Sequence, residues 1–189
     1  MPNLETPDKQ DQVVAHQRSA SSMVGGWFRD LLISLAISAF IIVFLYQPVK
    51  VEGTSMLPGL ADQERIFINK FVYRFENISR GDIVVFRYPR DPSKSYIKRV
   101  VAVAGDQVRI ENGRVYLNGN LLPEPYIPQN YEDFRSYPDT IVPPRHYFVL
   151  GDHRNLSNDS RDFGPVGEQY IYGKAAFVYW PLDRIGALR

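Results

Sequence analysis

Val108-Arg109-Ile110-Glu111-Asn112-Gly113-Arg114-Val115-Tyr116 is a pair of short apolar-rich runs joined by Asn-Gly. That dipeptide readily supplies the positive φ angles of a two-residue turn, so the stretch reads as a β-hairpin. Runs of the same character lie on both sides of it. Arg65–Phe71, Asp82–Arg87, Ser95–Ala104, Gln107–Glu111, Arg114–Asn118, Tyr147–Gly151 and Ile171–Trp180 are short and rich in Val, Ile, Tyr and Phe, as strands are. Gly-Asp pairs begin at Gly81, Gly105 and Gly151. The expected fold is mainly β, an antiparallel barrel-like or folded sheet rather than a βαβ arrangement. Six prolines interrupt the pattern between Asn118 and His146, so residues 119–146 are expected to form an irregular excursion.

Upstream, residues 1–26 are largely polar and read as a flexible tail. Leu31–Tyr46 then carries no charge over 16 residues, which is roughly 24 Å of helix. Adding Trp27 to Asp30 reaches about 30 Å, the thickness of a bilayer core. Residues 27–46 are therefore predicted to be a transmembrane anchor, with Trp27 and Tyr46 at the two interfaces and Arg29 and Asp30 paired near the headgroups. A soluble core helix rarely runs so long without a polar face. A cleaved signal peptide would end in a small-x-small site, whereas Gln47-Pro48-Val49-Lys50 follows here. Lys9, Arg18 and Arg29 precede the span. They favour a cytoplasmic N-terminus, with the β-rich domain, residues 47–189, on the trans side.

Composition removes several kinds of chemistry. The chain has no cysteine, so disulfides, thiolate catalysis and Cys-ligated zinc are excluded. Its histidines are His16, His146 and His153, which build neither a His-rich metal site nor an H-E-x-x-H helix. A net charge of +1 indicates no broad attraction to nucleic acid. No metal or cofactor is expected.

Three stretches hold candidate chemistry. Val51-Glu52-Gly53-Thr54-Ser55-Met56-Leu57-Pro58-Gly59-Leu60 follows the apolar span almost at once. The eight residues from Gln47 to Thr54 keep Ser55 within about 26–29 Å of the bilayer edge. A serine between Gly and Pro is ordinarily a turn residue. In Tyr96-Ile97-Lys98-Arg99-Val100-Val101-Ala102-Val103-Ala104, strand alternation sets Tyr96, Lys98, Val100 and Ala102 on one face and Ile97, Arg99, Val101 and Val103 on the other. Both faces are otherwise apolar, so one of the two cations is expected to be desolvated. Arginine would then need a carboxylate, because it keeps its proton. Lysine can become neutral, and a neutral amine beside a serine hydroxyl is a general base. The bland alternative is a lysine that snorkels to water. The third stretch, Leu150–Gly164, follows a strand and is dense in polar groups; it would brace a site or form a surface turn. A Ser-x-x-Lys arrangement at Ser55 fails, since Pro58 holds the required position.

Taken together and in order, these stretches resemble the type I signal peptidase (leader peptidase) family, particularly the small single-span forms of cyanobacteria and thylakoids. Glu52–Pro58 is similar to the family's Ser box, Arg80–Phe86 to its second conserved strand, Tyr96–Asp106 to its Lys box and Gly151–Arg161 to its last box. The resemblance implies an endopeptidase that cuts after small-x-small sites through an acyl-enzyme. Ser55 would be the nucleophile and Lys98 the base. Ser157 would orient the lysine amine, Asp159 and Arg161 would form a bracing pair, and Asp152 would hold the loop. Val51, Met56, Leu60 and Ile97 would line pockets for small side chains, and the Ser55 amide would donate to the oxyanion. The partners implied are signal-peptide-bearing precursors and the lipid bilayer of a plasma or thylakoid membrane; oligomeric state is not implied. Two positions depart from the family pattern. Gly53 stands where some members carry a hydroxyl as second oxyanion donor, and His153 stands where the loop often has Asn. A Ser-His-Asp arrangement is the weaker reading, because the strand lysine already supplies a base. Rival functions are a Ser/Lys protease that cleaves itself or a regulator, and a tethered peptide-binding module without catalysis.

Overall fold

The computed structural model describes residues 26–41 and 45–188. The chain divides into two compact units, Met1–Phe44 and Leu45–Arg189. In the first, α1 (residues 26–41) exposes every side chain from Trp27 to Ile41. Arg29 Nη2 lies 2.9 Å from Asp30 Oδ1, the pairing expected of these neighbours. Among the described residues no helix is long and apolar enough to cross a membrane; residues 42–44 of the predicted anchor lie outside them, as does the predicted tail up to residue 25. The anchor's predicted end needs correction. Tyr46 is not helical but opens a strand, opposite Asn69, where its ring meets Phe67 edge-on at 6.4 Å.

The second unit is antiparallel β, as the short apolar runs suggested. Its larger sheet has the order β1 (Tyr46–Lys50), β2 (Arg65–Asn69), β11 (Ile171–Trp180), β3 (Ile83–Tyr88), β4 (Asp91–Ala102), β9 (His146–Leu150) and β10 (Val166–Gly167), with β12 (Gly186–Ala187) paired to β11. The smaller sheet has the order β7 (Asn120–Leu121), β6 (Arg114–Leu117), β5 (Gln107–Glu111) and β8 (Tyr137–Ile141). The larger sheet is not a closed barrel: its path ends at β1 on one side and β10 on the other. The Pro-rich stretch is not wholly irregular either, since it contributes β7 and β8.

Three apolar clusters explain the arrangement. The first four residues of β3 are all buried. Ile83 and Val85 join Val51, Met56, Leu60, Ile66 and Ile68 on one side; Val84 and Phe86 join Val100, Val149 and Val166 on the other. A continuous apolar run is what a strand covered on both faces requires. β4 passes between two environments. The alternation expected along it holds as far as Val100. A register shift against β9 then falls between Val100 and Ala102, and Val101 and Ala102 both enter the third cluster, with Val108, Ile110 and Phe148. A bulge bends a strand. Here it carries the end of β4 from one core into the next, so two sheets share the apolar surface without closing into a barrel.

Candidate active site

Lys98 lies in the middle of β4, opposite Val84 of β3. Its side chain leaves the sheet on the same side as Tyr96 and Val100, which belong to one apolar cluster. Lys98 is 4% exposed. Ser55 comes from a turn tied down by its own amides: Leu57 N donates to Thr54 O and Leu60 N to Met56 O. The two meet with Lys98 Nζ 2.5 Å from Ser55 Oγ. Burial pushes the Lys98 ammonium down to about 8; the carboxylates of Asp159 and Asp152 oppose that and Arg161 reinforces it. A buried amine that loses its proton readily, in contact with a hydroxyl, is the chemistry of an activated nucleophile.

Arg99, the other cation, points the opposite way and is also buried. It meets the requirement stated above for a buried arginine. Nε and Nη2 reach the two oxygens of Asp152 at 2.9 and 2.8 Å, and Nη1 donates to Gly81 O at 3.0 Å. Burial works against the Arg99 charge, but Asp152 outweighs it and raises the guanidinium above its ordinary value. Asp152 thus anchors the loop after β9 to β4, next to Lys98.

The remainder of that loop is a buried polar network. Asp159 caps α2 (Ser160–Phe163) and takes a bidentate pair from Arg161, Nε at 2.8 Å and Nη2 at 2.7 Å. Burial would raise the Asp159 carboxyl; the hydrogen bonds and charge of Arg161 reverse this and hold it below the usual range. Arg161 also reaches Asp133 Oδ2 at 2.6 Å, and Arg154 pairs with Glu124. Glu124 and Asp133 carried no signal in the sequence, being single acids in a Pro-rich stretch. The Ser157 hydroxyl is buried and near enough to Asp159 to help keep it ionised, but among the described residues it completes no hydrogen bond. The expected bond to the Lys98 amine is therefore not made: that amine is engaged by Ser55. Gly151 lets these parts close. A Cβ there would fall 2.2 Å from Ser157 Oγ and 2.5 Å from Ser55 O.

A cleft of about 710 Å³ opens beside the Ser55–Lys98 contact, lined among others by Val51, Met56, Ile97, Tyr96, Val85 and Tyr172. Three of the four predicted pocket residues are here. Leu60 is the exception. It is fully buried because the turn through Pro58 and Gly59 folds it into the core beside Ile66 and Ile68. Gly53 takes a φ of +94° and its amide donates to Asp62 Oδ1 at 2.8 Å, which engages one of the backbone groups available as a second oxyanion donor. That bond is the main reason the Asp62 carboxyl lies below its usual range. Among the described residues no hydrogen bond joins His153 to the Ser55 hydroxyl; its Nδ1 lies 3.1 Å from Thr54 O instead. Among the described residues no cluster of three or more His, Asp or Glu offers a metal site.

The family model for signal peptidase, peptidase S26, matches residues 24–180. The chain belongs to the signal peptidase family. Within this family it is 38% identical over 165 residues to a signal peptidase I of Bacillus amyloliquefaciens, covering 82% of this chain and 84% of that protein. It is 32% identical over 173 residues to a signal peptidase IB of Staphylococcus aureus, covering 83% and 90%. A crystal structure of a signal peptidase I from Enterococcus faecalis V583 is 31% identical with a TM-score of 0.44, over 52% of this chain and 97% of that one. The chain is a peptidase of this family.

Proposed function

We propose that this peptidase is a membrane-anchored endopeptidase that removes N-terminal signal peptides from exported proteins, with Ser55 as nucleophile and Lys98 as general base. The observation that carries the reading is the 2.5 Å contact between the buried Lys98 amine and the Ser55 hydroxyl. Lys98, neutral, takes the proton as Ser55 Oγ attacks the carbonyl at the cleavage junction. The ammonium so formed gives that proton to the departing amine, leaving an ester on Ser55. Lys98 then draws a proton from water, which attacks the ester, and returns that proton to Ser55 Oγ as the ester bond breaks, freeing the acid product and the enzyme. The Ser55 amide donates to the oxyanion of each tetrahedral stage. Asp152, Asp159 and Arg161 support the site, and the Ser157 hydroxyl, which has no hydrogen bond among the described residues, receives the lysine amine when Ser55 is acylated.

Val51, Met56 and Ile97 line the cleft, and walls so well packed favour small side chains at the first and third positions before the cut; a larger one would overpack them. The apolar side chains exposed along α1, together with the uncharged sequence up to Leu45, support a single anchor over roughly residues 27–45. The N-terminus is then cytoplasmic and the catalytic unit lies on the trans side of a plasma or thylakoid membrane. Substrate emerges from the same bilayer.

The test is processing of a precursor that carries a small-x-small site, with the new N-terminus read by mass spectrometry. Ser55→Ala and Lys98→Ala should fold and leave the precursor intact, and Lys98→Arg should fail because guanidinium stays charged. Full processing by Lys98→Ala would overturn the mechanism.

A further inference from the structure

His153 belongs to no part of the mechanism above, yet it is 7% exposed and grips the nucleophile's backbone twice. Its main-chain amide donates to Ser55 O at 3.1 Å. Its ring Nδ1 lies 3.1 Å from Thr54 O; a carbonyl oxygen only accepts, so Nδ1 carries the hydrogen. The ring is backed at 4.1 Å by Tyr131, which comes from the Pro-rich stretch. The Thr54 carbonyl and the Ser55 amide are two ends of one peptide plane. The cis bonds among the described residues are Leu57–Pro58 and Trp180–Pro181, so this plane is trans and its N–H points opposite to its C=O. Among the described residues no acceptor takes the Ser55 amide.

We propose that His153 is a positioning residue for the oxyanion hole: by holding the Thr54 carbonyl from behind, it directs the Ser55 amide toward the developing oxyanion. This rests on the reading of Ser55 as nucleophile. The bond also polarises the amide, because a peptide unit that accepts at its oxygen donates more strongly at its nitrogen. Leu57 N holds the same oxygen at 3.1 Å, so the plane is fixed from two directions. With Gly53 N turned to Asp62, the Ser55 amide bears more of the oxyanion's charge, and its direction matters correspondingly.

The experiment uses the full chain and a short peptide substrate, with His153→Ala and His153→Asn, whose carboxamide nitrogen can donate to the same carbonyl. His153→Ala should lower kcat on the order of tenfold to a hundredfold, less than or comparable to deleting an oxyanion donor. KM should stay within about twofold, and His153→Asn should recover most of the loss. A peptide aldehyde, which forms an oxyanion on Ser55, should bind more weakly in step with kcat; the matching peptide alcohol should bind as before. Wild-type kcat in His153→Ala would overturn the proposal, as would equal losses in both variants with unchanged aldehyde binding. Should His153→Ala not fold, Tyr131→Ala frees the ring without deleting it and carries the same expectation for kcat and aldehyde. Processing by Ser55→Ala would instead sink the nucleophile reading; an inactive Ser55→Ala beside a fully active His153→Ala would sink the positioning role alone.

Discussion

Lys98 and Arg99 are adjacent cations that the fold buries together, and it treats them differently. Arg99 cannot discharge, so it has Asp152 at 2.8 Å. Among the described residues Lys98 has no direct carboxylate partner; burial lowers it to about 8 instead. On the proposed mechanism the neutral amine is the base, so activity should be gained as pH rises through that value. With such a pKa about one tenth of the amine is neutral at pH 7 and about nine tenths at pH 9. Initial rates on a soluble peptide from pH 6 to 10 should therefore climb with a limb near 8 and then level. A rate independent of pH across this range would argue against lysine as the base. Alternation along the strand made both residues candidates for burial. It did not say that both would be buried, because that depends on what packs against each face.

The β5–β6 hairpin shows how much an element owes to its neighbours. Asn112 and Gly113 take φ angles of 48° and 78°, the left-handed pair a two-residue hairpin turn needs. That much was legible. The demand for glycine itself is stronger than the turn requires, since a Cβ on Gly113 would fall 1.8 Å from Asp133 O. Gly113→Ala is expected to cost about 1–3 kcal/mol, as overpacking does, measured by urea unfolding. β8 escaped the sequence reading for a related reason. Pro138 interrupts its pattern, and proline is admitted because β8 is an edge strand. Tyr137 then secures it by an edge-on contact with Phe148 at 5.1 Å.

The unit Leu45–Arg189 contains all three apolar clusters and every residue of the proposed site. A chain lacking residues 1–44 is therefore expected to unfold cooperatively and to cleave a soluble peptide at close to the full chain's rate. It should no longer sediment with phospholipid vesicles. Vesicle binding equal to that of the whole chain would contradict the anchor reading and move membrane attachment to the β unit.

Antiparallel strands, the hairpin turn and the ordered boxes that mark the family were all readable along the chain, because side-chain alternation and turn conformation depend on residues close in sequence. The open path of the larger sheet, the bulge that turns β4 between two cores, the burial of Leu60 and the Ser157 hydroxyl left without a hydrogen bond among the described residues were not. The pairing of Ser55 with Lys98, 43 residues away, was implied by the resemblance and not by spacing or periodicity, and the hold of His153 on Thr54, 99 residues away, was not legible at all. Such contacts follow from how separate elements pack, and packing depends on the combined shape of all of them.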